Sequence, residues 1–232
     1  LSITDIHISN YTVYPNIGLN SKLYLGEKNG IEAPYIFIKM TNPDPVNYWY
    51  ILNDTNVNVD SVRLILYSED TTLGQSELPN LYFSPDSHFS ENVSNYSDFE
   101  TFSFLNWLDL GIPTISKELD DSSNFINNKL VWSLDSFKNV LYDSLDSNLT
   151  RTFGLQFLSS DSNYLEIFSE EAGYQTTDPK VQIYYNFQSS INDTIIKDTT
   201  FRTIYSASDL SVIKLNQDIV DTNRICISSG LG

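Results

Sequence analysis

The chain has 232 residues, of which thirty are acidic and thirteen basic, so its formal net charge at pH 7 is −17. This charge excludes a nucleic-acid-binding protein, whose affinity comes largely from neutralising phosphates, and it disfavours an anionic membrane surface for the same reason. The single cysteine, Cys226, excludes a disulfide within the chain. No apolar run approaches the roughly 18 to 20 residues of a membrane-spanning helix.

The composition favours β structure. Tyr (15 residues) and Phe (13 residues) dominate the aromatic content, and short runs of β-branched and aromatic residues alternate with Asn, Asp, Gly and Pro. This pattern of short apolar runs separated by turn residues is typical of an antiparallel sandwich. The sequence therefore predicts an all-β fold, an antiparallel jelly-roll-like β-sandwich with one short helix.

The N-terminal half contains three strand signals in chain order. Leu23-Tyr24-Leu25-Gly26 predicts a strand end, and the nearly continuous apolar run Pro34–Met40 predicts a strand covered on both faces. The two prolines of Asn42–Asn47 remove ladder donors and exclude that segment from a sheet. The run Val59–Ser68 is the strongest strand signal, and its alternation places three residues on one face: Val62, Leu64 and Leu66.

The middle of the chain is rich in turn residues. The segment Glu69–Phe99 predicts long loops around one short strand at Leu81–Phe83. A further strand is predicted at Leu130–Leu134. The period then changes over Asp135–Asp143, which predicts the one short helix. Its apolar residues at helical spacing are Phe137, Val140 and Leu141, and its candidate N-caps are Ser133 and Asp135.

Three strands are predicted near the end of the first 190 residues. They are Thr152–Ser159, Asn163–Ser169 and Lys180–Phe187. The short connection Ser160-Asp161-Ser162 predicts that the first two form a hairpin. A longer loop separates the third strand from the second.

The segments GLQFLSS (154–160), YLEIFSEE (164–171) and DPKVQIYY (178–185) resemble the closing strands of the DNRLRE-type domain, also called the disaggregatase-related repeat. The N-terminal half agrees with this resemblance in the order and spacing of its motifs, which are Asn16-Ile17-Gly18, Leu23-Tyr24-Leu25-Gly26, Tyr35–Met40 and Val62–Tyr67. The resemblance covers roughly residues 10 to 187. The family usually has an arginine where this chain has Pro34-Tyr35, so no role of that arginine is carried over.

The resemblance implies a jelly-roll-like sandwich that occurs as a repeated, non-catalytic piece of large extracellular proteins. Some members of the family bind acidic polysaccharides such as alginate. The expected organisation is a sandwich over 1–187, a linker over 188–208 and a β-segment over 209–232. That segment is either the start of a second repeat, a docking strand or a hairpin of the same sandwich, and its assembly residues are Val212, Ile213, Ile225 and Ile227.

Catalytic constellations are weak in this sequence. His7 and His88 lie far apart, so neither a metal centre with two neighbouring histidines nor a histidine relay is visible. The carboxylate doublets Asp120-Asp121 and Glu170-Glu171 do not form facing pairs, because adjacent residues of a strand point to opposite faces. We therefore expect no enzyme activity, with a polysaccharide-degrading enzyme as the third alternative.

Calcium is the metal that the loops favour. Asp120, Asp121 and Asn124 supply oxygen ligands within a short polar loop, which is the ligand chemistry that Ca²⁺ prefers. Asp86, Asp98 and Glu100 are a second set of the same kind. The alternative is that these acids are solvated, in which case no cofactor is expected.

Two tryptophans could stack on sugars. Trp49 and Trp107 lie near loop-like stretches and are the predicted ligand-binding residues, whereas Trp132 is expected in the core. The alternative is that all three are packed.

The sequence favours a non-catalytic structural or adhesive repeat module of a large extracellular surface, filament or virion-appendage protein. Its expected partners are neighbouring repeats or subunits of the same protein, without nucleic acid or membrane insertion. Leu1 is not an initiator Met and no signal peptide opens the chain, so a processed product or fragment is expected. The alternative function is a carbohydrate-binding module that recognises extracellular polysaccharide.

Overall fold

The computed structural model describes residues 17–28, 30–40, 48–69, 78–86, 89–119, 126–142, 150–159, 163–173, 176–191 and 194–215. These residues form strands and one α-helix, α1 (Lys138–Leu141). The strands are β1 (Lys22–Lys28), β2 (Ile31–Met40), β3 (Val57–Ser68), β4 (Asn80–Ser84), β5 (Leu108–Gly111), β6 (Thr114–Leu119), β7 (Ile126–Ser133), β8 (Arg151–Gln156), β9 (Tyr164–Phe168), β10 (Lys180–Ile191) and β11 (Thr194–Leu215).

The strands build two antiparallel sheets that share one strand. The first sheet has the order β5-β4-β8-β2-β11, with β1 beside β2 and β9 beside β1, and the second has the order β11-β10-β3-β7-β6. Strand β11 pairs with β10 up to Tyr205 and with β2 from Ser206 onwards. Its register shifts between Ser206 and Ser208, and such irregularities increase local twist. The shared strand therefore curls the two sheets into one sandwich.

The main core lies between the two sheets. Inward residues of β3, Val62, Leu64 and Leu66, are buried as their alternation predicts. The facing side chains come from both sheets and include Leu23, Ile36, Trp132, Phe153 and Ile183. The predicted all-β sandwich is thus confirmed, as is the core position of Trp132.

A second core covers the outer face of the first sheet. Phe37 points away from the main core and stacks with Phe99 at a centroid distance of 4.9 Å. The segment 89–107 supplies most of the other rings, including Phe104, which stacks on Tyr82 at 4.3 Å. A Cβ at Gly154 would lie 2.3 Å from the Phe104 ring, so the glycine leaves room for this contact. Strand β2 is therefore covered on both faces, as the apolar run predicts.

The predicted short helix is confirmed, but its predicted caps are wrong. A 3₁₀ turn, Asp135–Phe137, leads directly into α1, and neither segment has a side-chain cap. The Asp135 carboxylate instead accepts hydrogen bonds from the Val62 N–H (2.6 Å) and the Ser133 hydroxyl (2.8 Å). It stabilises the junction of β3 and β7 rather than a helix terminus. No helix in the described part of the chain is long and apolar enough to cross a membrane.

The predicted hairpin between the strands on either side of Ser160-Asp161-Ser162 is wrong. Strand β8 pairs with β2 and β4, whereas β9 pairs with β1. Strand β1 changes its pairing partner at Gly26, because Lys22–Gly26 pairs with β9 and Gly26–Lys28 pairs with β2. The short connection did not predict the pairing correctly, because each of the two strands pairs with strands that are distant in sequence.

The predicted division after residue 187 is also wrong for the described residues. Residues 188–191 continue β10, and residues 194–208 belong to β11, so the stretch expected to be a linker is sheet. Residues 209–215 pair with β2 of the same sandwich. Val212 and Ile213 are buried within this sandwich, while Ile225 and Ile227 lie outside the described residues. Of the alternatives for this segment, 209–215 fits the one in which it belongs to the same sandwich.

Candidate functional site

The two predicted sugar-stacking tryptophans are packed to different degrees. Trp49 lies in the 3₁₀ turn Tyr48–Asn53 and is fully buried in the main core. The Arg151 guanidinium lies over its ring at 4.3 Å. Trp49 therefore has no face for a sugar, and its ligand-binding prediction is wrong. Trp107 is half-buried, and its ring meets that of Phe104 edge-to-face at 5.1 Å.

The predicted calcium residues Asp120, Asp121 and Asn124 lie outside the described residues, as do His7, His88 and Cys226. Asp98, from the second candidate set, has a structural role. Its carboxylate accepts a hydrogen bond from the Asn95 N–H at 2.9 Å and completes the cap of the 3₁₀ turn Tyr96–Asp98.

Three aromatic residues, two of them exposed and one half-buried, lie on the outer face of the second sheet. Tyr184, Phe201 and Tyr205, here called the aromatic face, alternate with inward residues of β10 and β11. Phe201 is 49% exposed and Tyr205 is 41% exposed. The rings of Tyr184 and Phe201 are 5.5 Å apart as cross-strand partners. Phe201 and Tyr205 are four residues apart on one strand, so they span about 13 Å.

Polar groups surround the aromatic face. The Arg63 guanidinium lies 4.9 Å from the Tyr184 ring, and the Tyr184 hydroxyl donates to Gln182 Oε1 at 2.7 Å. Thr203 lies between Phe201 and Tyr205 on the same face. Flat rings beside hydrogen-bonding side chains can stack on a sugar and bind its hydroxyls.

A cluster of carboxylates lies where β11 passes the turn after β9. Glu91, Glu171 and Asp209, here called the acidic cluster, bring one oxygen each to within 4.8 Å of one another. The Glu170 N–H donates to Asp209 Oδ2 at 2.9 Å, and the Asp209 N–H donates to Glu91 Oε1 at 2.8 Å. Asp209 is completely buried. Three segments distant in sequence therefore converge on one anionic point.

Burial and mutual repulsion perturb this cluster. Burial raises the pKa of Asp209 well above its ordinary value, and the charges of Glu171, Glu91 and Glu170 raise it further. Burial also raises the pKa of the neighbouring Glu170 to about 7, with contributions from Glu171 and Glu91. Burial raises the pKa of Asp178 to about 6, against the opposing charge of Lys180. The site therefore strongly favours a positive charge or bound protons.

A groove of about 390 Å³ lies beside the connection of β1 and β2 and contains Glu27 and Glu32 in its lining. These two residues are cross-strand partners. A glycoside hydrolase needs two carboxyl groups on either side of the scissile bond, one of them serving as an acid. The Glu32 carboxylate instead forms an ion pair with Lys214 Nζ at 2.9 Å. We assign this groove no reaction.

The sequence analysis predicted neither the aromatic face nor the acidic cluster. It considered Glu170-Glu171 only as a doublet that forms no facing carboxylate pair, and it placed Phe201 and Tyr205 in a linker. One local signal for the acidic cluster was present, because Asp209 directly precedes the apolar alternation of Leu210 and Val212. An acid beside buried apolar residues of a strand needs a compensating partner if it is buried as well.

Comparison with known proteins identifies no relative. No family model matches the chain, no curated protein is similar to it, and no solved structure matches its fold. The resemblance to the DNRLRE-type domain therefore stays a prediction.

Proposed function

We propose that this chain is a non-catalytic structural or adhesive repeat module of a large extracellular surface, filament or virion-appendage protein. Its partners are neighbouring repeats or subunits of the same protein. The observation that carries the proposal is a two-stranded extension, formed by the end of β10 and the beginning of β11. We call residues 188–191 and 194–198 the arm.

The arm extends past the rest of its sheet. Strand β10 pairs with β3 only as far as Phe187, opposite Val57, whereas its pairing with β11 continues to Ile191, opposite Thr194. Beyond Phe187, each strand of the arm has one edge without a partner in the described ranges. Such an edge presents backbone N–H and C=O groups that can pair with a strand of another molecule.

The charge of the chain supports this proposal. A net charge of −17 keeps a protein soluble and suppresses non-specific association. Contacts between modules then require a specific directional element, and backbone pairing at the arm supplies one.

Shortening the arm tests the proposal. In the variant, residues 188–197 are replaced by Asn-Gly, so that a two-residue turn joins Phe187 to Asp198. We expect the unaltered chain to self-associate as its concentration rises, and we expect the variant to dissociate with a Kd at least about tenfold higher. Analytical ultracentrifugation measures this difference, and calorimetry checks that both proteins unfold at a similar temperature.

Two outcomes would reject the arm as an assembly element. One is a chain that remains monomeric at every concentration. The other is a shortened variant that associates as strongly as the unaltered chain.

A second candidate function, a carbohydrate-binding module, is favoured by the aromatic face. Neutral polysaccharides are the expected ligands, because a net charge of −17 repels acidic ones. Each exposed ring would stack on one sugar, while Arg63 and Gln182 would reach its hydroxyls.

A glycan array followed by titration calorimetry separates this second function from the first. Phe201→Ala and Tyr205→Ala should each weaken binding of a neutral glycan about three- to tenfold. Tyr50→Ala is the matched control, because Tyr50 is 50% exposed and lies outside the aromatic face. The candidate fails if no neutral glycan binds, or if the control weakens binding as much as the two variants.

A further inference from the structure

Asp209 combines complete burial with an oxygen that accepts no hydrogen bond from the part of the chain that the structure describes. Its side chain has an exposed fraction of 0%. Oδ2 accepts the Glu170 N–H, but Oδ1 has no hydrogen-bond donor among the residues that the structure describes. Glu171 Oε2 is also buried and accepts no hydrogen bond from the described residues. Buried carboxylate oxygens without a compensating donor are strongly unfavourable, so this arrangement points to a positively charged ligand.

We propose that Glu91, Glu171 and Asp209 bind one Ca²⁺ ion. Their oxygens lie within 4.8 Å of one another, which fits a single ion that holds its ligands at about 2.3 to 2.6 Å. Carboxylate oxygens are the ligands that this hard cation prefers. Mg²⁺ fits less well, because it holds its ligands at about 2.0 to 2.1 Å and demands near-ideal octahedral geometry, whereas Ca²⁺ tolerates irregular coordination.

The charges around Asp209 favour a bound cation over an internal ion pair. The charges that act on Asp209 belong to Glu171, Glu91 and Glu170, all of them carboxylates. Lys39 influences Glu91, but its Nζ donates to the Phe89 carbonyl at 3.0 Å and lies over the Phe89 ring. The rival arrangement is a shared proton between carboxyl groups, and it predicts no response to Ca²⁺.

The proposed ion would connect three separate parts of the fold. Glu91 belongs to the segment that carries the second core, Glu171 follows β9 at the edge of the first sheet, and Asp209 lies in the shared strand β11. The site is therefore structural, and binding should raise the stability of the whole sandwich. It is independent of the arm and of the aromatic face.

Calcium titration of the full chain tests this site directly. The protein is first treated with a chelator, and Ca²⁺ binding is then measured by titration calorimetry while Tm is measured by scanning calorimetry. We expect one ion per chain and a Tm increase of roughly 5 to 10 °C at a free Ca²⁺ concentration about 100-fold above Kd. Mg²⁺ should produce a smaller shift at the same concentration.

Asp209→Asn and Glu171→Gln identify the ligands without changing side-chain size. Each variant should weaken Ca²⁺ binding at least about tenfold, and neither should lower the Tm of the chelated protein, because each removes a repelled charge. Glu27→Gln is the control, since Glu27 is an exposed acid outside the cluster and outside both candidate calcium sets. The proposal is overturned if Ca²⁺ leaves the Tm of the unaltered chain unchanged, or if both variants bind the ion as the control does.

Discussion

Trp49→Ala should lower the free energy of unfolding by about 3 to 5 kcal/mol, because it removes a completely buried ring from the main core. The cavity would lie beneath Arg151, whose guanidinium now rests on the ring at 4.3 Å. Arg151 is itself 2% exposed, so it would also lose the aromatic surface that stabilises its buried charge. Urea denaturation followed by circular dichroism measures the loss.

The adjacent Tyr50 provides a matched control for this substitution. It lies in the same 3₁₀ turn but is 50% exposed, so Tyr50→Ala should change the free energy of unfolding by less than about 0.5 kcal/mol. A loss below about 1 kcal/mol for Trp49→Ala would contradict the buried position of this ring.

Gly26→Ala should cost at least about 3 kcal/mol, for two reasons that add. Gly26 has a φ of +93°, a region that side-chain-bearing residues rarely occupy. A Cβ there would also lie 1.8 Å from the Asn163 carbonyl oxygen, which is backbone and cannot rotate away. The same carbonyl accepts the Glu27 N–H at 2.9 Å, so any displacement also weakens that bond.

Gly111→Ala separates the two causes. Gly111 has a φ of +77°, but a Cβ there would have no atom within 4 Å among the described residues. We expect this control to cost only about 1 to 2 kcal/mol, the strain of a left-handed backbone alone. Chemical denaturation of both variants gives the comparison, and equal losses would refute the clash at Asn163.

Local patterns predicted the fold class and much of the first half of the fold. The alternation in Val59–Ser68 gave the correct inward face of β3, and the apolar run at Pro34–Met40 correctly indicated a strand covered on both sides. These predictions succeeded because a strand's side-chain period reflects which face is buried. The strand signals missed β5 and β6, which are short, lie at sheet edges and expose many side chains.

Which residues meet in the acidic cluster, and the true extent of β11, could not be predicted from local patterns. Glu91 and Asp209 are 118 residues apart, and nothing near either residue in sequence indicates the other. The stretch 188–208 resembles a linker in sequence because polar residues predominate in it. Long-range pairing in the sheet, rather than local propensity, decides the structure of this segment.

The shared strand has a consequence for how the molecule folds. Strand β11 occupies the middle of the sheet order, yet it follows all of the other strands in the chain. The edge of β2 that it joins must therefore remain unpaired until residues 206–215 have been made. Closing such distant contacts is slow, so folding should be late and all-or-none, and aggregation of partially made chains should be the main risk during biosynthesis.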